Sequence, residues 1–355
     1  MQQTTHPAPL TARPADSSAP PKRVNLALQG GGAHGAFTWG VLDRLLEDGR
    51  LAFEGISGSS AGAMNAAVMA HGLLEGGAPR AREKLHDFWR RISDRQLLSP
   101  LNATPFERAL YGYDLTWSFG YQVFDQITRL FSPYQFNPLD LNPLRDVLEE
   151  TIDPALLRRA GSPKLFISAT NVQTGRARVF RTHELSLDVL MASACLPFLF
   201  RAVRIDGEDF WDGGYLGNPA LWPMFQACAS SDIVLVAINP IGRAALPITA
   251  PDILNRLNEI TFNSALVAEM RAIDFVQRLL DEGRVEKGRY KRLFMHLIED
   301  EALMARHNVS SKFNADWGFL TELFEAGRAR AEAWLHESFD QVGRAATVDL
   351  RDRYL

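Results

Sequence analysis

The sequence predicts an α/β protein with a mainly parallel central sheet flanked by helices, a helical aromatic-rich insertion and a mostly helical C-terminal extension. Three observations lead there. Near the start, two short β-prone runs each end in a glycine turn and feed a segment of helical periodicity, the opening of a parallel α/β sheet. Residues 80–160 break that alternation and gather aromatic side chains. Beyond residue 251 the pattern is helical except for one alternating run at 291–298.

Taken in order, residues 1–22 are rich in Pro, Ala, Ser and Thr and read as a disordered tail. They lack the apolar stretch a secretory signal needs. Residues 24–29 form the first strand, which stops abruptly at Gly30-Gly31-Gly32. A helix follows from about Ala33, with Phe37, Val41, Leu42 and Leu45 on one buried face and Gly49 placed to end it. The second strand, 51–56, turns at Ser57-Gly58-Ser59-Ser60 into a helix of small residues, Ala61, Gly62, Ala63, Ala66 and Ala67, which can lie close on a sheet. In the insertion, Asn-Pro pairs at 137–138 and 142–143 punctuate loops ahead of a helix at 144–151. Strands resume at 164–170 and 178–180 around a turn at Thr174-Gly175, and Asp206-Gly207 closes a hairpin between 202–205 and 209–211. Residues 232–239 form a further core strand, and 251–283 a helix.

The 355 residues are 46% apolar and 23% charged, an ordinary globular composition that can bury a sizeable core. A net charge of −4 gives no general attraction to polyanions, so nucleic acid is not an expected partner. No apolar run approaches the ~18 to 20 residues that span a bilayer, so work on a membrane would be done peripherally, from its surface. Cys195 and Cys228 are too few for a disulfide framework and lack metal-ligand spacing. They read as buried small side chains of a cytoplasmic protein.

Gly58-Ser59-Ser60-Ala61-Gly62 is a G-x-S-x-G elbow between strand and helix, the context that makes Ser60 a candidate nucleophile. Its place at a helix N-terminus favours developing negative charge. Gly30-Gly31-Gly32-Ala33-His34-Gly35 matches G-x-G-x-x-G after a strand. As a dinucleotide site it needs a carboxylate at the end of the second strand, for which Glu47, Asp48 and Glu54 are the candidates by distance. That strand leads straight into the serine elbow, so a cofactor would compete with Ser60 for space. The better account is an oxyanion hole in which N–H groups of Gly31, Gly32 and Ala33 face the carbonyl attacked by Ser60. No histidine after Ser60 has a motif around it. Asp212-Gly213-Gly214 follows a short strand, and its glycines let a carboxylate turn inward, so Asp212 is the candidate base and Asp206 a hairpin residue. A carboxylate near its ordinary pKa of ~4 is a poor base, and burial is what would raise it.

These three motifs resemble the patatin-like phospholipase family over residues 24–239, supported by Met191-Ala-Ser-Ala-Cys-Leu-Pro197 and Asn218-Pro219. The resemblance implies a Ser60–Asp212 dyad without histidine, metal or cofactor, and hydrolysis of lipid acyl esters. It also implies a catalytic domain over 23–240, carrying the insertion at about 80–160, with the extension over 241–355. One position departs: the family usually has Arg or Lys where this chain has His34, largely neutral at pH 7 at an ordinary pKa of about 6.5. The aromatic insertion could line an acyl groove, touch a bilayer or form a satellite core. A nucleotide-dependent oxidoreductase, a non-catalytic lipid-binding scaffold and an acyltransferase using the same acyl-serine stay open, as do head group, chain length and oligomeric state.

Overall fold

The computed structural model describes residues 20–355 apart from 97–103, 160, 162 and 287, so most of the expected N-terminal tail lies outside the described residues. Eight strands form one sheet: β1 (Lys22–Leu28), β2 (Leu51–Gly58), β3 (Lys164–Asn171), β4 (Arg176–Arg181), β5 (Val203–Ile205), β6 (Glu208–Asp212), β7 (Asp232–Ala237) and β8 (Phe294–Glu299). Their order is β5-β6-β3-β2-β1-β7-β8, with β4 also on β3. Strands β1, β2, β3, β7 and β8 pair in parallel, whereas β4 and β6 run antiparallel to β3.

The near-continuous apolar runs of β1 and β7 are those of strands covered on both faces. Val24, Leu26, Leu28, Val234 and Val236 feed one core, and Ala27, Ile233, Leu235 and Ala237 the other. Helix α1 (Gly35–Asp48) buries Phe37, Val41, Leu42 and Leu45 completely, the face that the spacing predicts, and ends at Gly49 in the left-handed region. Helix α2 (Ala61–Gln96), broken at Gly76–Gly77, starts directly after Ser60. Asp206 and Gly207 have φ of 49° and 88°, as a two-residue type I′ hairpin requires. The alternating run expected at 291–298 contains β8, which spans Phe294–Glu299 and extends the sheet beyond β7, and helix Trp317–Ser338 packs on α1.

The aromatics of residues 80–160 differ in their surroundings. Phe88 and Trp89 are buried in the core and also border a cavity that Tyr121, Phe124 and Phe136 line, whereas Phe106, Trp117 and Phe119 are exposed. Among the described residues no helix is long and apolar enough to cross a membrane.

Candidate active site

Parallel pairing of β1 with β2 places Leu28 opposite Gly58, so the turns that follow both strands emerge side by side at the same sheet edge. That edge, beyond the carboxyl ends of the strands, is where open α/β sheets bind ligands. Ser60 occupies the elbow after β2 with φ 51°, a left-handed conformation that a serine adopts only when its surroundings impose it. Its backbone N–H donates to both the carbonyl (3.1 Å) and the hydroxyl (3.0 Å) of Ser193, at the end of helix Leu187–Ser193. Gly62 sits so close to β1 that a Cβ there would overlap the Leu28 carbonyl. Elbow, strand and helix are thereby locked together.

The glycine loop is a short 3-10 turn, Gly32–His34, running into α1 at Gly35. Its first residues lie at the start of the turn, so the N–H groups of Gly32 and Ala33 have no acceptor one turn earlier. Gly30 touches Ser60, and its N–H donates to Asn218 Oδ1 at 2.6 Å. Asn239 Nδ2 donates to the Gly30 carbonyl at 2.8 Å.

Asp212 ends β6, opposite Ala169 of β3, and is completely buried. Its N–H donates to the Cys195 carbonyl (2.8 Å), and Thr170 Oγ1 donates to its carbonyl (2.8 Å). Oδ1 accepts from Gly214 N–H at 2.7 Å. Oδ2 is buried without a well-formed hydrogen bond, an unusual state for a carboxylate oxygen. Burial pushes the carboxyl up to about 7; the Gly214 N–H, the adjacent Ser60 hydroxyl and the charge of Lys312 oppose the rise. Gly213 and Gly214 make the turn that presents the side chain, Gly213 against β3 and Gly214 against Phe262.

Gly31, Gly32, Ala33, Ser60 and Asp212 all line one cavity of about 1080 Å³. The remaining wall is mostly apolar, with Met64, Trp89, Phe124, Leu144, Leu199 and Phe313 among its side chains. A serine hydroxyl beside a carboxyl poised near neutrality, in an apolar chamber next to free N–H groups, can support nucleophilic attack on an acyl carbonyl.

His34 is buried, and its Nε2 lies 2.8 Å from Ser311 Oγ. The Ser311 hydroxyl spends its proton on the Asn308 carbonyl (2.7 Å), so Nε2 of His34 carries the ring hydrogen and donates. Burial, and then the charge of Lys312, hold its pKa well below the ordinary value, so it is a neutral imidazole. Lys312, from the 3-10 turn Ser310–Phe313, lines the same cavity, and its carbonyl packs against Gly32. Sequence reasoning missed Lys312, and it singled out the run at 191–197 without assigning Ser193 a part in holding the elbow.

The dinucleotide reading fails on topology. Glu47 and Asp48 precede β2 and Glu54 lies in its first half, at the opposite edge of the sheet from the glycine loop. Glu47 pairs with Arg82 and Arg328, Asp48 with Arg50, and Glu54 accepts from the N–H groups of Ala229 and Ser230. Both cysteines are buried, and burial lifts Cys195 to about 12 and Cys228 to about 11, leaving unreactive thiols.

The family described as Patatin-like phospholipase matches residues 26–224. Among solved structures, VipD from Legionella pneumophila is similar at 16% identity and a TM-score of 0.41, covering 94% of this chain and 73% of VipD. The ExoU–SpcU complex of the type III secretion system of Pseudomonas aeruginosa is similar at 17% identity and a TM-score of 0.34, covering 90% of this chain and 52% of the matched chain. No curated protein sequence matches significantly.

Proposed function

The chain belongs to the patatin-like phospholipase family, and from that premise we propose that it is a serine lipid acyl hydrolase acting through Ser60 and Asp212. The observation that carries the reading is the juxtaposition of the Ser60 hydroxyl with the buried Asp212 carboxyl at one end of a large apolar cavity. In the first half-reaction Asp212 takes the Ser60 proton as Oγ bonds to the acyl carbon, and the carbonyl electron pair moves onto oxygen. N–H groups of the Gly31–Ala33 turn, with that of Ala61, receive the oxyanion. Collapse expels the alcohol, which takes the proton back from Asp212. A water then gives a proton to Asp212 as its oxygen bonds to the acyl carbon, and collapse breaks the bond to Ser60 Oγ, which takes that proton back from Asp212 as the fatty acid leaves. No cofactor or metal enters these steps.

Two features support a lipid rather than a small polar ester. The cavity wall is largely apolar, which suits acyl chains. Around its mouth, Leu141, Phe198 and Leu254 both line the cavity and are exposed, and Phe119, Leu130 and Leu139 lie exposed nearby in sequence. Such a rim suits peripheral contact with a lipid surface by a protein of the cytoplasm. The direct test is fatty-acid release, read by mass spectrometry, from vesicles of long-chain diacyl phospholipid and from water-soluble short-chain esters. The reading predicts release from the vesicles. Turnover of short esters alone would place the substrate outside the lipids.

A further inference from the structure

The cavity wall carries a feature that the dyad does not use: a half-buried lysine, Lys312, whose ammonium is held by neutral partners. Lys312 Nζ donates to Asn239 Oδ1 and to Asn258 Oδ1, both at 2.9 Å, and stands 5.5 Å from the Phe262 ring centroid. All three partners are neutral, and among the described residues no carboxylate pairs with this ammonium directly. A cation partly withdrawn from water is costly and is ordinarily matched by a carboxylate. The titratable and charged groups that face it are Glu259 from helix Ala250–Asp281, Asp212 from β6, Arg243 from the loop after β7, and His34 of the glycine loop. Glu259 is already held by Arg243 and Arg256, and His34 is neutral, so the cluster carries surplus positive charge.

Its position is as specific as its lack of a counter-ion. The Lys312 carbonyl presses on Gly32, and the neighbouring Ser311 hydroxyl accepts from His34. Asn239 accepts from the ammonium while donating to the Gly30 carbonyl, so one side chain connects the charge to the glycine loop. Lys312 lines the cavity together with Gly31, Gly32, Ser60 and Asp212.

We propose that Lys312 is the electrostatic positioning residue of acyl transfer, a fixed charge beside the glycine loop that stabilises the substrate oxyanion. The inference rests on the reading of Ser60 as nucleophile. When Ser60 attacks, its proton neutralises Asp212 and negative charge appears on the acyl oxygen at the glycine loop. A cation anchored through Asn239 to that loop gains in the transition state, and its preorganised environment needs no rearrangement. Burial lowers the Lys312 pKa to about 8, so the charge is lost in mildly alkaline solution.

The test is hydrolysis of neutral p-nitrophenyl butyrate and of phospholipid vesicles from pH 5.5 to 10 by the wild-type chain, Lys312→Met and Lys312→Arg. The expected loss of kcat in Lys312→Met is on the order of 10²-fold on both substrates, with KM changed little. Its acid limb moves to higher pH, because the charge that lowers the Asp212 pKa is gone, and its alkaline limb near pH 8 disappears. Lys312→Arg recovers most of the rate and pushes the alkaline limb out of range. A wild-type rate and profile in Lys312→Met overturns the proposal, as does a loss confined to phospholipid, which would make Lys312 a head-group contact. If Lys312→Met does not fold, the other profiles decide. An alkaline limb unmoved in Lys312→Arg, or a wild-type profile flat from pH 7.5 to 10, overturns it. A wild-type chain that hydrolyses neither substrate overturns the nucleophile assignment and this proposal with it, whereas an active wild type with an unaffected Lys312→Met overturns the proposal alone.

Discussion

Asp212→Asn lowers kcat for ester hydrolysis by about 10⁴-fold, the upper end of what a general base contributes, and leaves KM within a few fold. The amide keeps the shape and the acceptor for Gly214 N–H but cannot take the Ser60 proton. In the wild type, kcat/KM rises as pH passes about 7, where the buried carboxyl ionises, and this limb is absent from whatever activity Asp212→Asn retains. Stability moves the other way. The folded-state pKa stands above the ordinary 3.8, so the folded protein holds a proton that the unfolded chain has released. Stability from this group is complete below the ordinary value and is lost as pH rises through about 7. Asp212→Asn therefore melts above the wild type at pH 8, and the difference shrinks toward pH 4. Thermal melts across that range check the sign. A variant that keeps substantial activity, or melts lower at pH 8, contradicts the assignment of Asp212 as a buried base.

Gly32→Ala lowers kcat by about 10²- to 10³-fold with a modest change in KM, the loss expected when an oxyanion donor is misaimed. Gly32 has φ 59°, and a Cβ there would overlap the Lys312 carbonyl, so the loop must shift to accept it. The same shift costs stability, and a control separates the two effects. Gly49→Ala places alanine at a comparable φ of 72° with no atom within 4 Å of the new Cβ, remote from the cavity. It should lower Tm without touching kcat. Equal kcat in Gly32→Ala and wild type, with the fold intact, would remove the glycine loop from the mechanism.

How far the site could be read from the sequence depended on how local each part was. The elbow at Ser60 and the loop at Gly30–Gly35 are strand–turn–helix units whose geometry is specified by adjacent residues, so their motifs sufficed. Asp212 stood out through the glycine pair that follows it after a short strand, and the structure places it at the end of β6, beyond the hairpin at Asp206-Gly207. Lys312 left no such trace. Lys312 reaches the loop from nearly the whole length of the chain away, through a turn whose residues look like any polar connection. Ser193 lies in the recognisable run at 191–197, but its anchoring of the elbow through a hydroxyl and a carbonyl at a helix end shows only in the folded chain. The aromatics of the insertion defeated prediction differently. Buried and exposed positions alike use Phe, Tyr and Trp here, and only the packing of the helices separates buried Phe88 from exposed Phe119.

Reaction with a fluorophosphonate, read by intact mass and peptide mapping, tests the identity of the nucleophile directly. A single adduct on Ser60, absent from a folded Ser60→Ala variant, is the result this account predicts. An adduct that persists in Ser60→Ala, or that maps to the neighbouring Ser59, would contradict it.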